Sequence, residues 1–246
     1  YFEAAIRKQT WKTPNPYYGE CYFNLGLALE AAGQEEKAYD AFYKSTWSAE
    51  TQSAGFFWLA NLAARKGSYE EALAFVSKSL LQNWHNMKAR TLKAAIMRKL
   101  GMDASGLLKE SLEIDPLYMG CLYELAAGSS VQTAETAKES ASWRIWKEKM
   151  REEAHNYLEL SLDYIKAGFY GDALAILKAC PDKNPMCRYY EGYACKKAGN
   201  FEAAKESFLA GEAADSDYCF PNRVEEIAIL EAAVAMLDTA PMAHYY

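Results

Sequence analysis

Three histidines and six cysteines are the side chains that could bind a metal or act as bases and nucleophiles. His85, His155 and His244 lie far apart, and none stands at metal-ligand spacing from a cysteine or a carboxylate. The cysteines form no Cys-x-x-Cys pair, which argues against a zinc site and a disulfide framework. We therefore expect no metal, and thiols buried in a reducing, cytoplasmic compartment. The cysteines are Cys21, Cys121, Cys180, Cys187, Cys195 and Cys219.

The common catalytic motifs are absent from the sequence. It contains no Gly-x-Ser-x-Gly elbow, no phosphate-binding loop and no His-Glu-x-x-His motif. Adjacent glutamates lie in hydrophilic, helix-like turns, where solvation and the helix dipole explain them without acid–base chemistry. They are Glu35-Glu36, Glu70-Glu71, Glu152-Glu153 and Glu225-Glu226. We predict no catalytic residue and no cofactor, so that the chain is not an enzyme.

Composition favours a helical protein and narrows the choice of partner. The chain has 246 residues, of which 51% are hydrophobic, with only 14 glycines and 7 prolines, too few for a turn-rich β fold. The formal charge is -6, and the sequence contains no concentrated run of basic residues. We therefore do not expect nucleic acid as a partner. The longest apolar stretch, 56–64, is far shorter than the roughly 20 residues of a membrane span. We expect no membrane contact and no signal peptide.

A pattern of leucine, glycine, alanine and an apolar residue recurs along the chain. Leu25-Gly26 is followed by Gly33, Ala38 and Phe42. The same order returns 34 residues later. That copy comprises Leu59-Ala60, Gly67, Ala72 and Val76; later copies are Leu160-Ser161, Gly168, Ala173, Leu177 and Gly192, Gly199, Ala204, Phe208. A degenerate copy runs from Gly101 to Pro116 with a shortened turn.

Each copy predicts two antiparallel helices joined by a tight turn. Apolar residues at spacings of three and four mark the first helix, and the glycine stands where a helix C-terminus takes positive φ. Ser68 with Glu71 three residues later predicts a capping box for the second helix, and Asn200 predicts a similar cap. Small residues on both helices predict a close approach of the pair. They are Gly26 with Ala38, Ala60 with Ala72, and Gly192 with Ala204.

These residues resemble the tetratricopeptide repeat family, whose 34-residue units fold as helix–turn–helix pairs. The resemblance is carried by Tyr22, Leu25, Gly26, Ala38, Phe42; Phe56, Leu59, Ala72, Val76; Tyr157, Leu160, Tyr164, Ala173, Leu177; Asn15-Pro16 and Asp115-Pro116. It implies an all-α, right-handed superhelical solenoid with a concave binding groove. Glu191 departs from the expected leucine, and the turn after Gly101 is short, so irregular packing is expected there.

The resemblance also places a row of first-helix residues on the concave face. The row consists of Phe23, Leu27, Phe57, Asn61, Leu158, Leu162, Tyr189 and Tyr193. Its apolar, aromatic character fits a hydrophobic peptide, a helix or another domain of the same protein, although packing between adjacent repeats is the more common role of aromatic residues at these positions. Some family members grip a C-terminal carboxylate, and Asn24 and Asn61 match their asparagines. Phe23, Phe57 and Thr91 replace the cations of that pattern, which argues against such a grip.

The register of the repeat breaks between two blocks. We predict a repeat block at 1–127, an irregular insertion and connecting helix at 128–153, and a second block at 154–246. The insertion is rich in Ser, Thr, Ala and Glu over 128–142, which indicates an exposed excursion. A long amphipathic stretch is expected from Trp143 to Lys166. Trp143 and Trp146 are interpreted as apolar anchors of this helix, with a ligand site as the alternative.

The two ends of the sequence resemble incomplete repeats, as in a segment of a larger protein. Residues 217–223 and the closing Ala243-His244-Tyr245-Tyr246 resemble the C-terminal repeat region of large bacterial proteins that carry a mutarotase-like β-sandwich. We expect a non-catalytic scaffold for protein–protein or interdomain contact. The alternatives are a structural spacer or oligomerisation module, including a homo-oligomer, and an accessory region of a carbohydrate-active bacterial enzyme.

Overall fold

The computed structural model describes residues 1–12, 18–128, 140–181 and 184–246. These residues form helices and turns without a strand. They divide into two compact units, Tyr1–Trp146 and Lys147–Tyr246. The helices are α1 Phe2–Gln9, α2 Glu20–Ala31, α3 Glu35–Ser45, α4 Ala49–Arg65, α5 Tyr69–Gln82, α6 Met87–Lys99, α7 Ser105–Ile114, α8 Met119–Gly128, α9 Ala141–Met150, α10 Ala154–Lys166, α11 Tyr170–Lys178, α12 Pro185–Lys197, α13 Phe201–Glu212, α14 Val224–Val234 and α15 Pro241–Tyr245.

Each unit is a stack of helical hairpins, which confirms the predicted all-α repeat fold. In the first unit, α2 pairs with α3, α4 with α5 and α6 with α7, and each pair packs on the next. The first helices of neighbouring hairpins also touch, because α4 contacts both α2 and α6. In the second unit, α10 pairs with α11 and α12 with α13, and α14 packs on α12. The predicted boundaries of the repeat blocks and of the insertion stay a prediction, and residues 129–139 of the insertion lie outside the described part.

A glycine with positive φ closes the first helix of every hairpin, as the spacing predicts. The five glycines are Gly33, Gly67, Gly101, Gly168 and Gly199, with φ between 70 and 83°. At Gly67 the next amide, of Ser68, donates to the carbonyl of Ala63, which is the Schellman arrangement. The chain therefore reverses within two residues, and the second helix starts beside the first. The shortened turn after Gly101 keeps this geometry, since the Met102 amide donates to Met97.

Only one of the two predicted N-caps is present. Asn200 accepts a hydrogen bond from the Ala203 amide at 3.2 Å. Ser68 makes no side-chain cap, so the predicted capping box is wrong. Both residues have a ψ between 60 and 90° imposed by the glycine turn, and from that backbone the side chain of asparagine reaches one atom further than that of serine. Asn86 and Asn184 also cap their helices, at α6 and α12.

Small residues bring the two helices of a hairpin together, but the closest neighbour is an aromatic ring. An added Cβ at Gly26 would lie 2.6 Å from the ring of Phe42, and one at Gly192 would lie 2.5 Å from Phe208. Ala38 and Ala204 are fully buried beside these rings. Each ring thus fills the space that the missing side chain leaves, which ties the glycine and the aromatic position of the repeat together.

The amphipathic stretch from Trp143 to Lys166 comprises two helices. Arg151 has a φ of 53° and ends α9, and α10 begins at Ala154. Side chains of α10 secure the turn, because Tyr157 Oη donates to the Arg151 carbonyl at 3.2 Å. The interpretation of the tryptophans as apolar anchors holds. Trp143 and Trp146 are buried and pack on Tyr123, with ring centroids 6.1 and 5.4 Å away.

The glycine–ring contact can be tested in the second unit. Gly192→Ala should lower the free energy of unfolding by about 1 to 3 kcal/mol, the usual cost of overpacking, despite the roughly 1 kcal/mol gain in helix propensity. Gly171→Ala is the matched control, because Gly171 lies in a helix of the same unit with open space around an added Cβ. Urea unfolding followed by circular dichroism should rank the stabilities Gly171→Ala, wild type, Gly192→Ala. A stabilised Gly192→Ala would contradict the close contact.

Candidate functional site

Three members of the predicted binding row keep exposed apolar surface in the first unit. Phe23, Leu27 and Phe57 are each half-buried. The Phe23 ring lies 5.8 Å from the ring of Phe42, which holds it against its own hairpin. Asn61 is buried, and its side-chain amide donates to the Phe57 carbonyl at 2.9 Å. The first two hairpins therefore present apolar side chains, while the asparagine amide is already engaged.

The equivalent positions of the third hairpin are buried, so the exposed part of the row ends before it. Thr91 and Ala95, which follow Phe57 and Asn61 by one repeat period, are buried. Thr91 Oγ1 lies 3.5 Å from Cys121 Sγ of α8. A Cβ added at Gly120 would come within 2.8 Å of Thr91 Oγ1, so α8 packs directly on this position. The open part of the row in this unit thus consists of Phe23, Leu27 and Phe57.

In the second unit most of the row is buried. Leu158, Leu162 and Tyr189 are buried, and Tyr193 is half-exposed. The Lys197 ammonium lies 5.4 Å from the centre of the Tyr193 ring, a cation–π distance. The structure therefore divides the eight predicted residues into two groups. Four carry surface that a partner can reach, and four lie in the interior.

Tyr189 belongs to a polar link that fixes the last helix. Its phenol donates to Glu212 at 2.8 Å, and the same carboxylate accepts the amides of Met242 and Ala243 at 2.9 Å each. Tyr246 then packs edge-on against the Tyr189 ring at 6.0 Å. Burial, and next the hydrogen bond to Glu212, raises the pKa of Tyr189 well above its usual range. The carboxylate serves as the N-terminal anchor of α15.

Glu226 is a further carboxylate with several donors, and because it is buried, the expectation of a solvated acidic pair is wrong for it. It accepts the Tyr190 phenol at 3.0 Å and the amides of Asn222 and Arg223 at 2.7 and 2.8 Å. The Arg223 guanidinium adds an ion pair at 3.1 Å. Burial and the negative charge of Glu226 raise the pKa of Tyr190. Glu225 does face outward, where Lys166 pairs with it.

Arginine–glutamate pairs connect neighbouring hairpins in the first unit. Arg65 at the end of α4 donates to Glu30 at 2.9 Å and to Glu35 at 2.8 Å, both in the preceding hairpin. Arg98 at the end of α6 reaches Glu124 of α8 through two bonds of 2.9 Å. The sequence analysis missed these links. The two arginines lie 33 residues apart at the end of successive first helices, which is the signal that could have found them.

The histidines and cysteines do not come together in a metal site within the described residues. His155 lies exposed at the start of α10. Both of its ring nitrogens lie within 3.1 Å of the Arg223 guanidinium, so the histidine has a surface role. The six cysteines are thiols, and the sulfur atoms of Cys180 and Cys187 lie 3.9 Å apart.

Glu191, which replaces a repeat leucine, is buried and pairs with Arg188 at 2.8 Å. None of the described helices has the length and apolarity needed to cross a bilayer.

The geometry of the hairpins decides the type of repeat. Consecutive hairpins share the positive-φ glycine, the Schellman turn and the small residue packed against the second helix, with a 34-residue period in the first unit. This chain is a TPR-like repeat protein.

The chain was also compared with known proteins. No family model matches the chain. It is similar to the crystal structure of YrrB, a TPR protein with an unusual peptide-binding site, at 15% identity and a TM-score of 0.43, over 88% of this chain and 93% of YrrB. It is also similar to MamA from Desulfovibrio magneticus RS-1, at 14% identity and a TM-score of 0.34, over 78% of this chain and 92% of the MamA chain.

The anchor of the last TPR-like helix can be tested by hydrogen exchange. Glu212→Ala removes the acceptor of the Met242 and Ala243 amides, and these amides should exchange about tenfold faster, in keeping with the loss of hydrogen bonds to a charged group. Glu206→Ala removes an exposed glutamate from the same helix and serves as the control. Unchanged protection of residues 242–243 in Glu212→Ala would show that the carboxylate does not hold α15.

The buried phenols predict a loss of stability at alkaline pH. The pKa of Tyr190 is raised in the folded state, so its contribution is complete below an unfolded pKa of about 10 and is lost as the pH rises beyond that value. Tyr157 behaves in the same direction, because burial raises its pKa to about 12. Tyr190→Phe should therefore flatten the fall of the urea midpoint above a pH of about 10. Tyr218→Phe, at an exposed position, should keep the wild-type pH dependence; equal slopes in both variants would refute the assignment.

Proposed function

We propose that this TPR-like chain is a non-catalytic scaffold that binds a protein segment on the first helices of its first two hairpins. The observation that carries the proposal is the half-buried row of Phe23, Leu27 and Phe57 on adjacent helices of one stack. Apolar side chains that recur at one position of successive hairpins offer a continuous surface for an apolar partner. Tyr193 of the second unit adds a further contact surface of the same character.

The chemistry of the row selects an apolar segment as the partner. Two phenylalanines and a leucine offer apolar surface whose removal from water favours binding. The Asn61 amide is already hydrogen-bonded to the Phe57 carbonyl. Phe23, Phe57 and Thr91 stand where a carboxylate-gripping repeat carries cations, so a charged chain end is disfavoured. An amphipathic helix or an extended apolar stretch fits best, from another domain of the same protein or from a separate chain. We assign Asn61, Leu158, Leu162 and Tyr189 to packing.

Site-specific crosslinking tests this function. Phe23 and Phe57 are replaced, one at a time, by the photoreactive analogue p-benzoylphenylalanine, and Leu209 is replaced in the same way as the control. Leu209 is half-exposed on a second helix of the second unit. Positions 23 and 57 should crosslink to one and the same polypeptide region, and position 209 should not. Crosslinks of the same pattern and yield from all three positions would refute the row as the binding surface.

An oligomerisation role is the second candidate, and one observation favours it. Phe220, Val224 and Ile227 expose 79, 67 and 59% of their surface along one short stretch of the second unit. Such a concentration of exposed apolar side chains is usual at self-association surfaces. Light scattering of the wild type and of Ile227→Glu distinguishes the candidates, because a dimer through this stretch would become monomeric in the variant.

The accessory role beside a carbohydrate-active domain, and the cytoplasmic location that the thiols favour, stay predictions.

A further inference from the structure

Three exposed tryptophans of the first unit occupy the same place in the repeat. Trp11, Trp47 and Trp84 each stand two residues after the end of a second helix, namely α1, α3 and α5. They expose 77, 57 and 45% of their surface. The following turn carries Leu117, with 62% exposed, three residues after α7. We call Trp11, Trp47 and Trp84 the tryptophan row.

The stacking of the hairpins sets the order of this row. Equivalent turns of successive hairpins lie along one edge of a stack, because α2, α4 and α6 pack on each other in order. The tryptophans therefore follow one another along this edge, one for each turn between hairpins. This edge is formed by the turns between hairpins and is separate from the first-helix row of Phe23, Leu27 and Phe57.

Each indole of the tryptophan row carries a cation on its face. The charged groups of Lys12, Lys44 and Arg90 lie 4.9, 3.5 and 4.4 Å from the ring centres of Trp11, Trp47 and Trp84. Beside Trp11, the side chains of Arg7 and Lys8 line an open depression of about 460 Å³. At Trp11 and Trp47 the edge therefore combines an aromatic face with exposed positive charge.

Arg90 fixes Trp84 and is not itself a binding group. Its guanidinium is fully buried, donates to Ser111 Oγ at 2.7 Å and to the Trp84 carbonyl at 3.2 Å, and pairs with Glu110 at 3.2 Å. The indole is thereby held in place with nearly half of its surface exposed. A tryptophan usually buries most of its large apolar surface, so three exposed indoles in register indicate a surface that is covered by a ligand.

We propose that the tryptophan row binds an acidic, proline-rich segment in the polyproline II conformation. A polyproline II helix has three residues per turn and a rise of about 3.1 Å, so it presents one proline face at every turn and can meet successive indoles of the row. Prolines dock on exposed aromatic faces, and carboxylates of the segment complement Lys12, Lys44, Arg7 and Lys8.

Other peptide conformations fit this edge less well. An extended strand binds by pairing with a sheet edge, and the described residues contain no strand. An α-helix binds in a groove with walls, whereas these indoles stand exposed. A polyproline II segment binds such a shallow surface with little ordering cost.

A labelled peptide of about five Glu-Pro-Pro triplets, some five polyproline II turns, tests the proposal on the full chain by fluorescence anisotropy. We expect saturable binding that weakens as salt is added. A Lys-Pro-Pro peptide tests the charge and a Glu-Ala-Ala peptide tests the conformation, and each should bind about tenfold more weakly than the first. No saturable binding of the Glu-Pro-Pro peptide, or equal binding of either control peptide, would overturn the proposal.

Two variants locate the peptide on the row. Trp47→Ala should weaken binding of the Glu-Pro-Pro peptide about fivefold, the scale of one aromatic contact. Phe201→Ala is the control, since Phe201 is 59% exposed in the second unit, close to the 57% of Trp47. Lys44→Glu keeps the indole and should weaken binding by charge repulsion, which covers the case in which Trp47→Ala unfolds. Phe57→Ala should leave this binding unchanged, so the first-helix function and the tryptophan row can fail separately. Unchanged binding in both Trp47→Ala and Lys44→Glu would refute the location.

Discussion

The two-residue reversal at a left-handed glycine is the constraint on which the rest of the structure depends. At Gly67 and Gly199 the chain turns back at once, since the amide of the next residue closes on the last turn of the first helix. A longer connection would let the second helix slide along the first. The short one fixes the register of the pair, and with it the ring that packs on Gly26 or Gly192. Every side chain that recurs by repeat period inherits its position from this turn.

Carboxylates with several donors fix neighbouring helices and turns in both units. Glu124, Glu212 and Glu226 each accept several donors, and the donors come from a different helix or from the turn that must be fixed. Glu124 and Glu226 are buried, and a buried carboxylate is costly unless its lone pairs are filled, so these two favour one arrangement of the neighbouring segment over others. In the first-helix row, Tyr189 is drawn into the Glu212 link, whereas Phe23 and Phe57 stay half-buried.

Sequence reasoning succeeded where the determinant was local. Glycine spacing, the Asn200 cap and the close approach of paired helices at small residues each depend on residues within one hairpin, and these predictions are confirmed. It failed where the interacting residue lies far away in the sequence, or where the backbone torsion angle of one residue decided the outcome. The Ser68 cap is lost to the ψ that the glycine turn imposes. Glu226 looks like a surface glutamate in sequence, but its donor Tyr190 lies 36 residues earlier. The burial of Leu158 and Leu162 likewise results from tertiary packing that periodicity alone does not encode.

A repeat architecture multiplies weak contacts, and this applies to both surfaces that we propose in the first unit. Phe23 and Phe57, and separately Trp47 and Trp84, recur because the hairpin recurs, so each hairpin offers a ligand one more contact of the same kind. A ligand that meets two successive hairpins gains the second contact at the high effective concentration set by the first. One exposed phenylalanine or indole binds little by itself. On both proposals, selectivity comes from the match between the repeat of the ligand and the repeat of the hairpins, without a deep pocket.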